Sequence, residues 1–90
     1  METLDLSQRG YTHEHMAQIE RIITSKAAAD TTVTLNVDLS GNYLNKECIT
    51  RICSIIESYP NVNIDLSVNY LGLSDFTSIS KDYLRCAFTI

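Results

Sequence analysis

Val37-Asp38-Leu39-Ser40-Gly41-Asn42-Tyr43-Leu44 recurs 27 residues later as Ile64-Asp65-Leu66-Ser67-Val68-Asn69-Tyr70-Leu71, with six of eight positions identical. A weaker copy, Leu4-Asp5-Leu6-Ser7-Gln8-Arg9-Gly10-Tyr11, lies near the start of the 90-residue chain, 33 residues before the first of the pair. Repetition at such a period is the mark of a stacked-repeat architecture. One unit cannot bury its apolar face alone, and about three are needed for stability. Missing this period would mis-assign the whole fold.

Within each copy the apolar residues alternate. Leu35, Val37 and Leu39 point one way, and Asn36, Asp38 and Ser40 the other, which is strand geometry with one buried face. Leu4, Leu6, Val37, Leu39, Ile64 and Leu66 are accordingly expected inside. Between copies the spacing changes to threes and fours: Met16, Ile19, Ile22 and Ile23, then Cys48, Ile49, Ile52, Cys53, Ile55 and Ile56. These are helical stripes. Thr12 and Asn45 are suitable N-caps. Pro60 stops the second helix after Tyr59, and the first fades through Ala27-Ala28-Ala29 into the polar turn Asp30-Thr31-Thr32. A shorter third helix is expected from Ser74 with Phe76 and Ile79 inward, and a last alternating stretch, Leu84, Cys86, Phe88 and Ile90, reads as a terminal strand. Strand, helix, strand at a fixed period requires parallel strands joined by helical crossovers. The expected organisation is a single α/β domain over residues 1–90, with repeats at about 3–33, 34–61 and 62–82 and a terminal strand at 83–90.

These residues resemble the leucine-rich repeat signature, Leu-x-x-Leu-x-Leu-x-x-Asn-x-Leu. It stands here as Leu35-x-Val37-x-Leu39-x-x-Asn42-x-Leu44 and as Val62-x-Ile64-x-Leu66-x-x-Asn69-x-Leu71. The length of 27 and the full helix resemble ribonuclease-inhibitor repeats. Arg9, where the repeat asparagine would stand, and the truncated third helix depart from the pattern, both in terminal repeats. The resemblance implies a short solenoid, with a parallel sheet on the concave side and helices on the convex side. It also implies protein recognition rather than catalysis, and asparagines that hydrogen-bond the backbone of a neighbouring turn.

If the copies stack in register, Asp5, Asp38 and Asp65 form an outward column, with Ser7, Ser40 and Ser67 beside it. Asn36 and Asn63 face the same way. Neighbouring strands lie about 4.8 Å apart, so adjacent carboxylates repel by roughly 1 kcal/mol even in water. No lysine or arginine occupies an outward strand position of these copies. Two readings of the column stand side by side. Leu-Asp-Leu-Ser is a common repeat consensus, so the column is inherited with the fold. Alternatively it is an acidic ridge that docks on a basic surface, a ladder of carboxylates resembling a row of phosphates. Tyr43 and Tyr70 stand at equivalent repeat positions and divide between packing of the turn ridge and contact with a partner.

The remaining chemistry is sparse. His13 and His15, at i,i+2 on a helix, point about 200° apart and do not share an ion. Glu47 and Arg51 form an i,i+4 pair on a solvated face. No nucleophile, phosphate-binding or zinc-protease motif is present, so neither an enzyme nor a cofactor is expected. A net charge of −4 argues against direct nucleic-acid binding. No apolar run reaches membrane-spanning length and the first residues lack a signal-peptide pattern. With the odd count of three cysteines, Cys48, Cys53 and Cys86, this points to reduced thiols and a cytoplasmic location.

The expected function is therefore binding: an inhibitor or antagonist that occupies a basic surface, such as a nucleic-acid-binding one, on a partner protein or complex. Asp5, Ser7, Asn36, Asp38, Ser40, Asn63, Asp65, Ser67, Tyr43 and Tyr70 are the candidate contact residues. Size and acidity fit a small viral or phage-encoded antagonist. The rival expectation is a structural or adaptor subunit that forms a homodimer through its sheet edges; the molecular mass in solution separates the two.

Overall fold

The computed structural model describes residues 2–70 and the backbone of 86–87. Four parallel strands form one sheet in chain order: β1 (Glu2–Asp5), β2 (Leu35–Asp38), β3 (Val62–Asp65) and the two-residue β4 (Cys86–Ala87). Helix α1 (Met16–Ala29) joins β1 to β2, and α2 (Ile49–Ser58) joins β2 to β3. The third helix expected from Ser74 lies outside the described residues, as do the flanks of the expected terminal strand.

Each helix starts where a side chain supplies the missing acceptor for a free backbone N–H. Thr12 Oγ1 accepts from the Glu14 amide at 3.3 Å, and Asn45 Oδ1 from the Glu47 amide at 3.0 Å. A single 3₁₀ turn follows each cap before the α-helix begins. In the first, His15 Nδ1 reaches back to accept from the Thr12 amide at 2.9 Å, closing a reciprocal capping box. Helix α1 ends at Asp30, whose extended backbone leaves the helical region, and α2 ends just before Tyr59-Pro60.

Both helices lay their apolar stripes on one face of the sheet. Met16, Ile19, Ile23 and Ala27 of α1 are buried, as are Ile49, Ile52, Cys53, Ile55 and Ile56 of α2. They meet Leu6, Leu35, Val37, Leu39, Leu44, Val62, Ile64 and Leu66 in one core. Burying each such side chain contributes about 1.5–3 kcal/mol relative to exposure. The expected inward set holds except at Leu4, which is only partly buried. β1 is the sheet edge, with a neighbour on one side only, so its inward residue is less covered than Val37 or Ile64.

The ion pairs run between elements. Arg51 Nη1 meets Glu20 Oε2 of α1 at 3.2 Å, in place of the expected i,i+4 partner Glu47. Glu47 instead receives His13 Nε2 at 3.2 Å. Packing α1 against α2 brings a neighbouring helix as close as the next turn of the same one, so long side chains choose across rather than along. All these groups are in contact with solvent, from one-third to three-fifths exposed, and such pairs contribute little, about 0–1 kcal/mol.

Candidate functional site on the open sheet face

The parallel register is uninterrupted from strand to strand. Asp5 pairs with Asp38 and Asp38 with Asp65, while Thr3, Asn36 and Asn63 form the parallel column two residues earlier. These side chains occupy the face opposite the helices; they are half-buried on β2 and β3, where they alternate with buried residues, and exposed on the edge strand β1. Asn63 Nδ2 donates to Asn36 Oδ1 at 3.2 Å, linking the second column. Thr3, Asn36, Asp38, Asn63 and Asp65 line an open depression of about 250 Å³. On β4, Ala87 stands in register with Asp65, so the described acidic column ends there.

Register continues beyond the strands into the turns. Leu6 N–H donates to Asp38 O, Leu39 N–H to Asp65 O, Gln8 N–H to Ser40 O and Gly41 N–H to Ser67 O, at 2.8 to 3.0 Å. Below them lies an asparagine ladder. Buried Asn42 accepts from the Arg9 and Tyr11 amides and donates to Leu6 O and Leu39 O. Asn69 repeats this one unit on, accepting from the Leu44 amide and donating to Leu39 O and Leu66 O. Each amide satisfies buried backbone groups of two adjacent turns, which would otherwise be unpaired. The two asparagines are thus structural and position the face without belonging to it.

Each aspartate is locked by the serine two residues on. Ser7, Ser40 and Ser67 donate both the amide and the hydroxyl to Oδ1 of Asp5, Asp38 and Asp65, at 2.5 to 2.9 Å. Asp30 and Thr32 form the same turn away from the column, so it is a local property of Asp-x-Ser/Thr. That spacing is an Asx-turn signal in the sequence. The repeated Asp-x-Ser therefore has a structural role, since it fixes the exit of each strand and the orientation of each carboxylate. The Ser7 hydroxyl, then its amide, hold the Asp5 carboxyl below its ordinary range; slight dehydration opposes this and the Arg9 charge adds to it.

Among the described residues the ion pairs are His13–Glu47, Lys26–Glu2 and Arg51–Glu20, and none involves Asp5, Asp38 or Asp65. Arg9, read from sequence only as a departure from the repeat, folds back to place Nη2 on the Asp5 backbone carbonyl at 3.0 Å. It thereby covers one outward acceptor of the edge strand β1.

At the end of the same strands the turn presents Tyr43 and Tyr70, with ring centroids 6.0 Å apart and planes inclined by 30°. Tyr11, aligned instead with Leu44 in the repeat, is half-buried and packs against His15. No group of three or more His, Cys, Asp or Glu side chains among the described residues is placed to hold a metal ion. No described helix is long and apolar enough to cross a membrane. Comparison with protein-family models, curated proteins and solved structures found no match.

Proposed function

We propose that this chain is a small leucine-rich-repeat binding protein, with the sheet concave and the helices convex. In this reading it acts by occupying a basic, nucleic-acid-binding surface of a partner protein complex. Support for the repeat class comes from the inward leucines and from Asn42 and Asn69, which hydrogen-bond where such a repeat requires. The observation that carries the function is the in-register column Asp5–Asp38–Asp65, acidic and in no ion pair among the described residues, with Arg9 the cation that acts on its Asp5 end. The serine hydrogen bonds favour this reading as well as the structural one. They hold each carboxylate in one orientation, so a partner meets charges that are already arranged. Adjacent charges about 4.8 Å apart form a ladder of the kind a phosphate-binding channel accepts.

The test is Asp5→Asn, Asp38→Asn and Asp65→Asn together. Asparagine keeps Oδ1 as acceptor for the serine donors, so the turns persist while the charge goes. Stability at neutral pH should stay near the parent's, because the relieved repulsion along the column is set against the lost charge-assisted hydrogen bonds from the serines. A partner captured with the parent chain should associate more slowly with the triple variant, and the salt dependence should largely vanish. Equal binding with the same salt slope would sink the acidic-face reading and leave the aspartates as turn formers only.

A further inference from the structure

Among the described residues, three large apolar side chains remain in solvent: Tyr43, Val68 and Tyr70, at 54%, 66% and 69% exposure. All three belong to the turns that follow β2 and β3, and the two rings already pair. Val68 adds a second anomaly. Its φ is +56°, in the left-handed region, where the equivalent position of the preceding repeat is Gly41 at +69°. A β-branched side chain is strained there, and glycine is not. Gly41 has a packing reason as well, because a Cβ would stand 2.9 Å from Gln8 Cγ. Val68 instead carries a strained backbone and an exposed apolar side chain together. The left-handed backbone belongs to the repeat, since Gln8 takes it too at the equivalent position of the first copy, with φ +51°; the exposed apolar side chain is what sets Val68 apart, because it adds nothing to the core.

We propose that the Tyr43–Val68–Tyr70 ridge is the anchor of the binding face and that it takes the arginine side chains of a basic segment. This rests on the reading of the acidic column as the partner-binding face. Charge complementarity selects the occupant. The ridge sits at the end of the strands that carry Asp38 and Asp65, in a chain of net charge −4, so the segment that reaches it is cationic. Of the two long cationic side chains, the guanidinium is planar and weakly hydrated and stacks on aromatic faces, whereas the ammonium keeps its water. Two exposed tyrosine rings, 6.0 Å apart and inclined by 30°, offer such aromatic faces. The carboxylates then govern encounter, and the ridge discriminates arginine from lysine.

Fluorescein-labelled hexa-arginine and hexa-lysine, titrated against the chain and followed by anisotropy, separate these contributions. The parent is expected to bind hexa-arginine about five-fold tighter than hexa-lysine, the size of one exposed cation–aromatic contact. Tyr43→Ala with Tyr70→Ala should bring the ratio to about one, and Tyr43→Phe with Tyr70→Phe should restore it, since the rings stay. Circular dichroism of all variants checks the fold. The triple aspartate-to-asparagine variant should weaken both peptides alike and leave the ratio. A parent ratio near one, or a ratio indifferent to loss of the rings, overturns the ridge proposal while an aspartate effect leaves the acidic face standing. Unchanged binding in the triple variant with a ring-dependent ratio does the reverse. Failure of both peptides to bind overturns both.

Discussion

At the scale of single residues, equivalent repeat positions are not equally comfortable. Gly41 and Val68 share a left-handed backbone, yet only one lacks the side chain that resists it. Val68→Gly should therefore stabilise the fold, by about 0.5–1 kcal/mol after the added freedom of glycine in the unfolded chain is set against the relieved strain. Little burial is lost, because the side chain is mostly in solvent. The midpoint of urea unfolding measures this, and an unchanged or lower midpoint would mean that the turn does not strain valine. Asp5 gives a pH dependence of known sign. Its folded carboxyl titrates below the ordinary value of 3.8, as does Asp30 beside Thr32. A lowered folded value contributes stability above the unfolded value and loses it as pH falls through the folded one. Asp5→Asn with Asp30→Asn should thus flatten the loss of stability as the pH falls below the ordinary aspartate value of 3.8, read from urea midpoints across that acid range. An equally steep loss in the double variant would place the acid sensitivity elsewhere.

At the scale of elements, the strands matter for what they stack as much as for what they bury. Leu39 is fully buried, its amide bonds Asp65 O, and its carbonyl accepts from both Asn42 and Asn69. It sits where the core and the asparagine ladder meet. Leu39→Asp should unfold the chain, because an unpaired carboxylate in a small core exceeds the reserve of about 5–15 kcal/mol typical of a domain. A monomeric variant with an unchanged circular-dichroism spectrum would refute the inward assignment of this strand face. The helices are secured differently, with caps at their starts and cross-helix pairs on their outer surface. The caps were legible because Thr12 and Asn45 immediately precede the helical stripes. The partner of Arg51 was not, since an i,i+4 rule considers one helix at a time.

At the scale of the whole molecule, the described residues leave one face of the sheet open, with β1 at one margin. Arg9 on the Asp5 carbonyl covers one acceptor of that edge. The interior holds Cys48 and Cys53 as buried thiols, and burial first, with Glu47 adding, pushes the Cys48 thiol up despite the Asn45 backbone bond. A buried thiol kept in its neutral form is a core hydrophobe rather than a nucleophile. Reductant should therefore leave the melting temperature unchanged. A large drop on reduction would reveal a disulfide and revise the reading of all three cysteines.

The sequence alone determined the repeat, the inward and outward sides of each strand, the helix starts and the Asp5–Asp38–Asp65 register. These depend on periods of two and of three to four and on caps a few residues away, all of which are written along the chain. It also marked Tyr43 and Tyr70 by their equivalence. The tertiary structure decided what crosses between repeats. Asn42 reaches amides 31 and 33 residues away, and Arg51 a carboxylate 31 residues away. Asn36 and Asn63 join only because the register aligns them. Packing likewise decided that Leu4 stays half-covered at the edge and that Val68 takes the backbone of a glycine. A turn held by hydrogen bonds to the preceding turn imposes its dihedral angles on whatever residue occupies it, and no local propensity announces that.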